Sequence, residues 1–72
     1  MKLNNKLRKY RFENGEMTQQ ALANAVDVTR LTIHSVETGK FIPSTLLALK
    51  IAAYFQVTVE DIFYLSDDEE KE

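Results

Sequence analysis

The chain has 72 residues, no cysteine, one histidine and a formal net charge of −2. That length accommodates one domain close to the lower limit for an autonomous hydrophobic core. The missing cysteines exclude disulfides and cysteine-ligated metal as staples, and a lone histidine without clustered carboxylates does not make a metal site. No apolar run is long enough to cross a bilayer, and Met1–Lys6 is too polar to begin a signal peptide. The expectation is a cytoplasmic domain stabilised by helix packing, with self-association as a second source of stability.

Charge is unevenly distributed. Through Lys50, eight basic residues face the four acids Glu13, Glu16, Asp27 and Glu37, a local net of +4. From Ile51 onward Lys71 alone opposes seven acids, a net of −6. This asymmetry fits a body that faces a polyanion and carries an acidic appendage. The corresponding division is a domain over 1–66 and an acidic, disordered tail over 67–72.

In chain order, Leu3, Leu7, Tyr10 and Phe12 recur near helical spacing, predicting an amphipathic helix over 4–14 that stops at Asn14-Gly15. Thr18 is positioned to cap a second helix over 19–25, whose buried stripe is Leu22, Ala23 and Val26. Thr29 caps a third helix over 30–37, anchored by Ile33 and Val36 and ended by Gly39. Pro43 breaks the chain and Ser44 opens a fourth helix to about Phe55, with Leu47, Ile51, Ala52 and Phe55 inward. Thr58 and Asp61 form a capping-box pattern for a brief fifth helix from Val59. Ile62-Phe63-Tyr64-Leu65 suits either a last helical turn or a strand. Short polar connections between such helices predict an all-α compact bundle.

Two short helices joined by a tight turn must cross steeply, and the small Ala23 permits close approach. Ile33 and Val36 then hold the third helix on the core, leaving Arg30, Leu31, Thr32, His34, Ser35 and Thr38 mostly outward. A helix of this length spans ~12–15 Å and fits the B-DNA major groove.

The stretch MTQQALANAVDVTRLTIHSVETGK, with Pro43-Ser44 and Leu47–Ala52 after it, resembles the helix-turn-helix of the Cro/phage-repressor family, also called the xenobiotic-response-element type. The positions that carry the resemblance include Thr18-Gln19, Leu22-Ala23, Val28-Thr29, Thr32-Ile33, Glu37 and Gly39-Lys40, and it extends to Asp61-Ile62-Phe63. It implies a compact five-helix, lambda-repressor-like domain that binds double-stranded DNA as a transcriptional regulator, with the third helix in the major groove and the second across the backbone. Short family members also imply a small two-stranded sheet between residues 2–4 and 63–66. The family's arginine–glutamate pair maps onto Arg11 and Glu37, a structural pair beneath the reading surface.

On this reading the base-contacting candidates are Arg30, Leu31, Thr32 and Ser35. Arg30 can donate twice to guanine O6 and N7, or else grip a phosphate. Leu31 stands where the family usually has a polar residue; it either meets a thymine methyl or packs at the helix end. Gln19, Thr29, His34, Thr38 and Lys40 are the phosphate candidates, which set register without reading sequence. Asp27 and Gln56 occupy positions where the family prefers glycine, and the first loop is one residue longer, with Met17 in the apolar place.

The family implies a homodimer on a palindromic operator, and Leu46, Ala53, Tyr54 and Tyr64-Leu65 are more apolar than a solvent face requires. No nucleophile–base set, phosphate loop or effector domain is evident, so an enzyme, a cofactor, a metal and a small-molecule effector are not expected. The rival reading is a protein-interaction module on the same fold, antitoxin-like or coactivator-type, favoured by the acidic total charge and the outward Leu31.

Overall fold

The computed structural model describes residues 1–67. The elements are β1 (Lys2–Asn5), α1 (Leu7–Glu13), α2 (Gln19–Val26), α3 (Arg30–Glu37), α4 (Thr45–Phe55), α5 (Val59–Ile62) and β2 (Phe63–Ser66). The expected tail falls outside the described residues apart from Asp67.

Each helix from α2 onward begins on a hydroxyl that accepts a first-turn amide. Thr18 accepts from Ala21 N at 3.0 Å, Thr29 from Thr32 N at 3.2 Å and Ser44 from Leu47 N at 3.1 Å. Thr58 and Asp61 form the reciprocal box, with Asp61 N donating to Thr58 and Thr58 N to the Asp61 carboxylate at 2.9 Å. These caps satisfy amides that have no partner within the helix, so a polar residue at the boundary defines where the helix starts.

The first helix is shorter than its apolar spacing suggests. Residues 2–5 are extended and pair antiparallel with 63–66 in the register Leu3↔Leu65 and Asn5↔Phe63. Lys6 N donates to Ile62 O at 2.8 Å, and the Asn5 side chain accepts from Leu7 N at 3.0 Å, so the chain turns into α1 only at Leu7. Leu3 and Leu7 lie at a helical interval, but long-range pairing overrides that local signal. The same pairing decides the C-terminal ambiguity: Phe63 leaves the helix with φ −111° and ψ 133° and begins β2. Within α1, Leu7 and Arg11 are the buried residues, while Phe12 is half exposed and contributes no core contact.

The core is one cluster of Leu7, Leu22, Ala23, Val26, Ile33, Val36, Leu47, Ile51, Ala52, Ile62 and Phe63. Leu22, Ala23 and Ile33 have no exposed surface, which places α2 and α3 firmly against each other. Tyr10 and Phe55 meet at the cluster's edge with ring centroids 5.7 Å apart. No helix among the described residues is long and apolar enough to cross a membrane.

Besides Glu16 in the loop after α1, two turns carry non-glycine residues in the left-handed region: Asp27, between α2 and α3, at φ 65°, and Gln56, after α4, at φ 60°. Both side chains are exposed, so the backbone angle carries the cost at these positions. Asp27→Gly and Gln56→Gly are therefore each expected to stabilise the domain by about 0.5–1 kcal/mol, with nearly additive effects because the sites are independent. Thermal unfolding monitored by circular dichroism should show each midpoint rising by several degrees. A lower midpoint in either variant contradicts the strain argument.

Candidate nucleic-acid interface

The α2–turn–α3 unit is locked from below. Arg11, 8% exposed, reaches Glu37 at the end of α3 through two hydrogen bonds, Nε to Oε2 at 2.5 Å and Nη2 to Oε1 at 3.0 Å. Its remaining nitrogen, Nη1, donates to Met17 O at 2.6 Å, so one guanidinium ties α1, the loop before α2 and the end of α3 together. The extra residue in that loop is absorbed by Gly15 and Glu16, both at positive φ, and Met17 turns back so that its amide bonds Arg11 O at 2.9 Å. No buried side-chain nitrogen or oxygen among the described residues lacks a partner. Such a pair contributes little net stability when intact, but losing one partner strands a buried charge.

A second tie comes from β1. Asn5 Nδ2 donates at 3.0 Å to Val36 O, a carbonyl in the last turn of α3 that also accepts from Gly39 N at 3.1 Å. The sequence reading missed Asn5. Its only local signal is a polar residue two places before a helix start, and its partner lies 31 residues away.

These ties leave one face of α3 open. Arg30, Leu31 and His34 are exposed, with Leu31 at 63%, while Thr32 and Ser35 are half-buried. The Thr32 hydroxyl lies 3.0 Å from that of the capping Thr29, so these two are coupled at the helix start. Leu31 is not part of the core cluster, and its exposed side chain is an apolar surface at the start of α3.

Gln19 occupies the centre of the polar face. Its Nε2 donates to Glu37 Oε1 at 3.1 Å and lies 3.4 Å from His34 Nδ1, while its Oε1 accepts from Arg30 Nη1 at 3.5 Å. A chain of contacts thus runs from the buried Arg11–Glu37 pair through Gln19 to the exposed Arg30. Thr38 is exposed but bonded back to its own helix: its hydroxyl donates to His34 O at 3.0 Å, and its amide bonds the same turn. The Gly39 and Lys40 amides bond back to Val36 O and Ser35 O, and the loop presents the Lys40 ammonium outward along with the exposed Phe41 and Ile42.

The sequence matches a family described as helix-turn-helix over residues 7–62. The chain belongs to the helix-turn-helix family. It is 48% identical over 67 residues to an uncharacterised HTH-type transcriptional regulator from Methanocaldococcus jannaschii, covering 93% of this chain and all of the relative. An uncharacterised HTH-type transcriptional regulator from Bacillus subtilis, YgzD, is 39% identical, with 92% of this chain and 98% of the relative aligned. The control protein C.MunI from a Mycoplasma species is 33% identical across the whole chain and 93% of its own length. The chain is thus a helix-turn-helix protein of the DNA-binding regulator type.

The buried pair makes this unit sensitive to a single change. Glu37→Ala is expected to cost about 3–5 kcal/mol, since Arg11 would remain buried without its counter-charge. Chemical denaturation should show the loss as a lower transition midpoint, and a midpoint equal to that of the parent contradicts it.

Proposed function

We propose that the protein is a sequence-specific transcriptional repressor that inserts α3 into the major groove of double-stranded DNA. The observation that carries this reading is the side-by-side exposure of Arg30 and Leu31 on the first turn of a helix whose other end is fixed by the Arg11–Glu37 pair and Asn5. A guanidinium suits the two acceptors of a guanine edge, and an adjacent leucine suits a thymine methyl, so the pair reads a two-letter chemistry. Ser35 and Thr32 lie further along the face and complete the base contacts.

Phosphate contacts flank this strip. Gln19 begins α2, where first-turn amides and the positive helix end favour an anion. His34 and Lys40 lie on the side of the end of α3, and Thr29 stands at its start. Thr38 acts by shaping the loop, because its hydroxyl and amide are both committed to α3 carbonyls. Occupying an operator in this way blocks other proteins from the same DNA and requires no cofactor or effector.

One reading helix makes few base contacts, so two copies acting together provide selectivity. A symmetric pair places its recognition helices ~34 Å apart on a palindromic site. The surface available for that pairing includes Leu46 at 64% and Leu65 at 62% exposure, with Ala53, Tyr54 and Tyr64 also exposed. The alternative, a protein-interaction module, is favoured by the apolar Leu31, since a leucine on a polar face also suits an apolar protein groove.

Selection from a random duplex library distinguishes the two. The expected product is a palindrome whose binding weakens steeply with salt. Arg30→Ala should lower affinity by about 1–3 kcal/mol and relax selectivity at one guanine, and Leu31→Ala should do so at one neighbouring thymine. Failure to enrich any sequence at low salt supports the protein-partner reading. Sedimentation equilibrium tests the dimer, and Leu46→Asp is expected to shift the mass towards that of one chain.

A further inference from the structure

Beside the reading face lies a pocket of about 320 Å³ lined by Arg8, Arg11, Phe12, Gln19, His34, Glu37 and Thr38. It opens where α1, the start of α2 and the end of α3 converge. Glu37 is the acid among these residues, and its two oxygens already accept from Arg11 and Gln19. The lining therefore retains one uncompensated cation, Arg8.

The Arg8 side chain is exposed, and its guanidinium carbon lies 5.3 Å from the centroid of the Phe12 ring. The salt bridges found among the described residues do not involve it. A cation–π contact restrains a guanidinium without neutralising it, so Arg8 is held at the pocket rim with its charge available. The half-exposed Phe12, which adds nothing to the core, thereby acquires a role. A planar fork of donors at the rim of this pocket is suited to phosphate oxygens.

We infer that Arg8 is a phosphate-binding residue, and that the pocket between α1, α2 and α3 seats a backbone phosphate of bound DNA. This inference rests on the proposed docking of α3, which brings the start of α2 and hence this pocket against the sugar–phosphate backbone. It extends the contact surface beyond the helix-turn-helix to α1, with Phe12 as the positioning residue for Arg8. Arg8 would add affinity and register and leave sequence preference to α3.

The test is the salt dependence of binding, measured on the selected palindrome and on sheared genomic duplex. Each phosphate contact contributes about 0.9 to the slope of log affinity against log salt. Arg8→Gln is expected to reduce that slope by about 0.9 on both duplexes, to lower affinity by a similar factor on each, and to leave the melting midpoint unchanged. Arg8→Lys should restore most of the slope. Lys9→Gln removes the same charge from an exposed position on α1 outside the pocket, and it should keep the parental slope. An unchanged slope in Arg8→Gln, or equal reductions in Arg8→Gln and Lys9→Gln, overturns the inference while leaving the docking of α3 intact. Absence of salt-dependent binding by the parent protein overturns both.

Discussion

The guanidinium of Arg11 is the point from which the α2–turn–α3 unit is organised. It is nearly buried, it satisfies both oxygens of Glu37, and it holds the carbonyl of Met17. Removing either charge would leave the other desolvated and unpaired, so the three segments it joins cannot part without stranding a buried charge. Two of those segments, α1 and the loop after it, precede α2, and the third is the end of α3. The orientation of the helix-turn-helix is therefore set by a polar contact underneath it as well as by Leu22, Ala23, Ile33 and Val36 in the core.

The same pair extends outward. Glu37 accepts from Gln19, and Gln19 in turn touches His34 and Arg30. Under the proposed docking, Arg30 is restrained before DNA arrives, and less conformational entropy is then lost on binding. Arg8 is restrained by different means, the face of Phe12, which leaves its charge intact. Together these arrangements form a surface with a prepared centre and a charged margin, on a chain whose overall charge is slightly acidic. The position of the charges matters more here than their sum, because screening confines their influence to about 8–10 Å.

What could be read directly from the residues was local. Hydroxyls at Thr18, Thr29, Ser44 and Thr58 announce helix starts because a cap bonds an amide only three residues away. The inward stripes of α2, α3 and α4 follow from a 3.6-residue period and recur in the core as Leu22, Ile33 and Ile51. The left-handed turn at Asp27 followed from the family resemblance instead, since an Asp stands where the family prefers glycine. By contrast, Leu3 looked helical by its interval with Leu7, and Phe12 looked like part of the same stripe. Neither reading survived, since β1 forms only through its partner at 63–66, and the buried position in the last turn of α1 belongs to Arg11 instead.

The sequence alone determined the number and polarity of the helices, their boundaries from α2 onward and the faces they bury, because each depends on residues within a turn or two of one another. Resemblance added the expectation of a pairing between residues 11 and 37 and of a small terminal sheet. Only the tertiary structure decided that Asn5 closes the end of α3, that Gln19 connects the buried pair to Arg30, and that Arg8 and Phe12 share a pocket with His34 and Thr38. Those contacts join residues 11 to 31 positions apart. No periodicity or cap encodes them, since they exist only after the core has brought α1, α2 and α3 together.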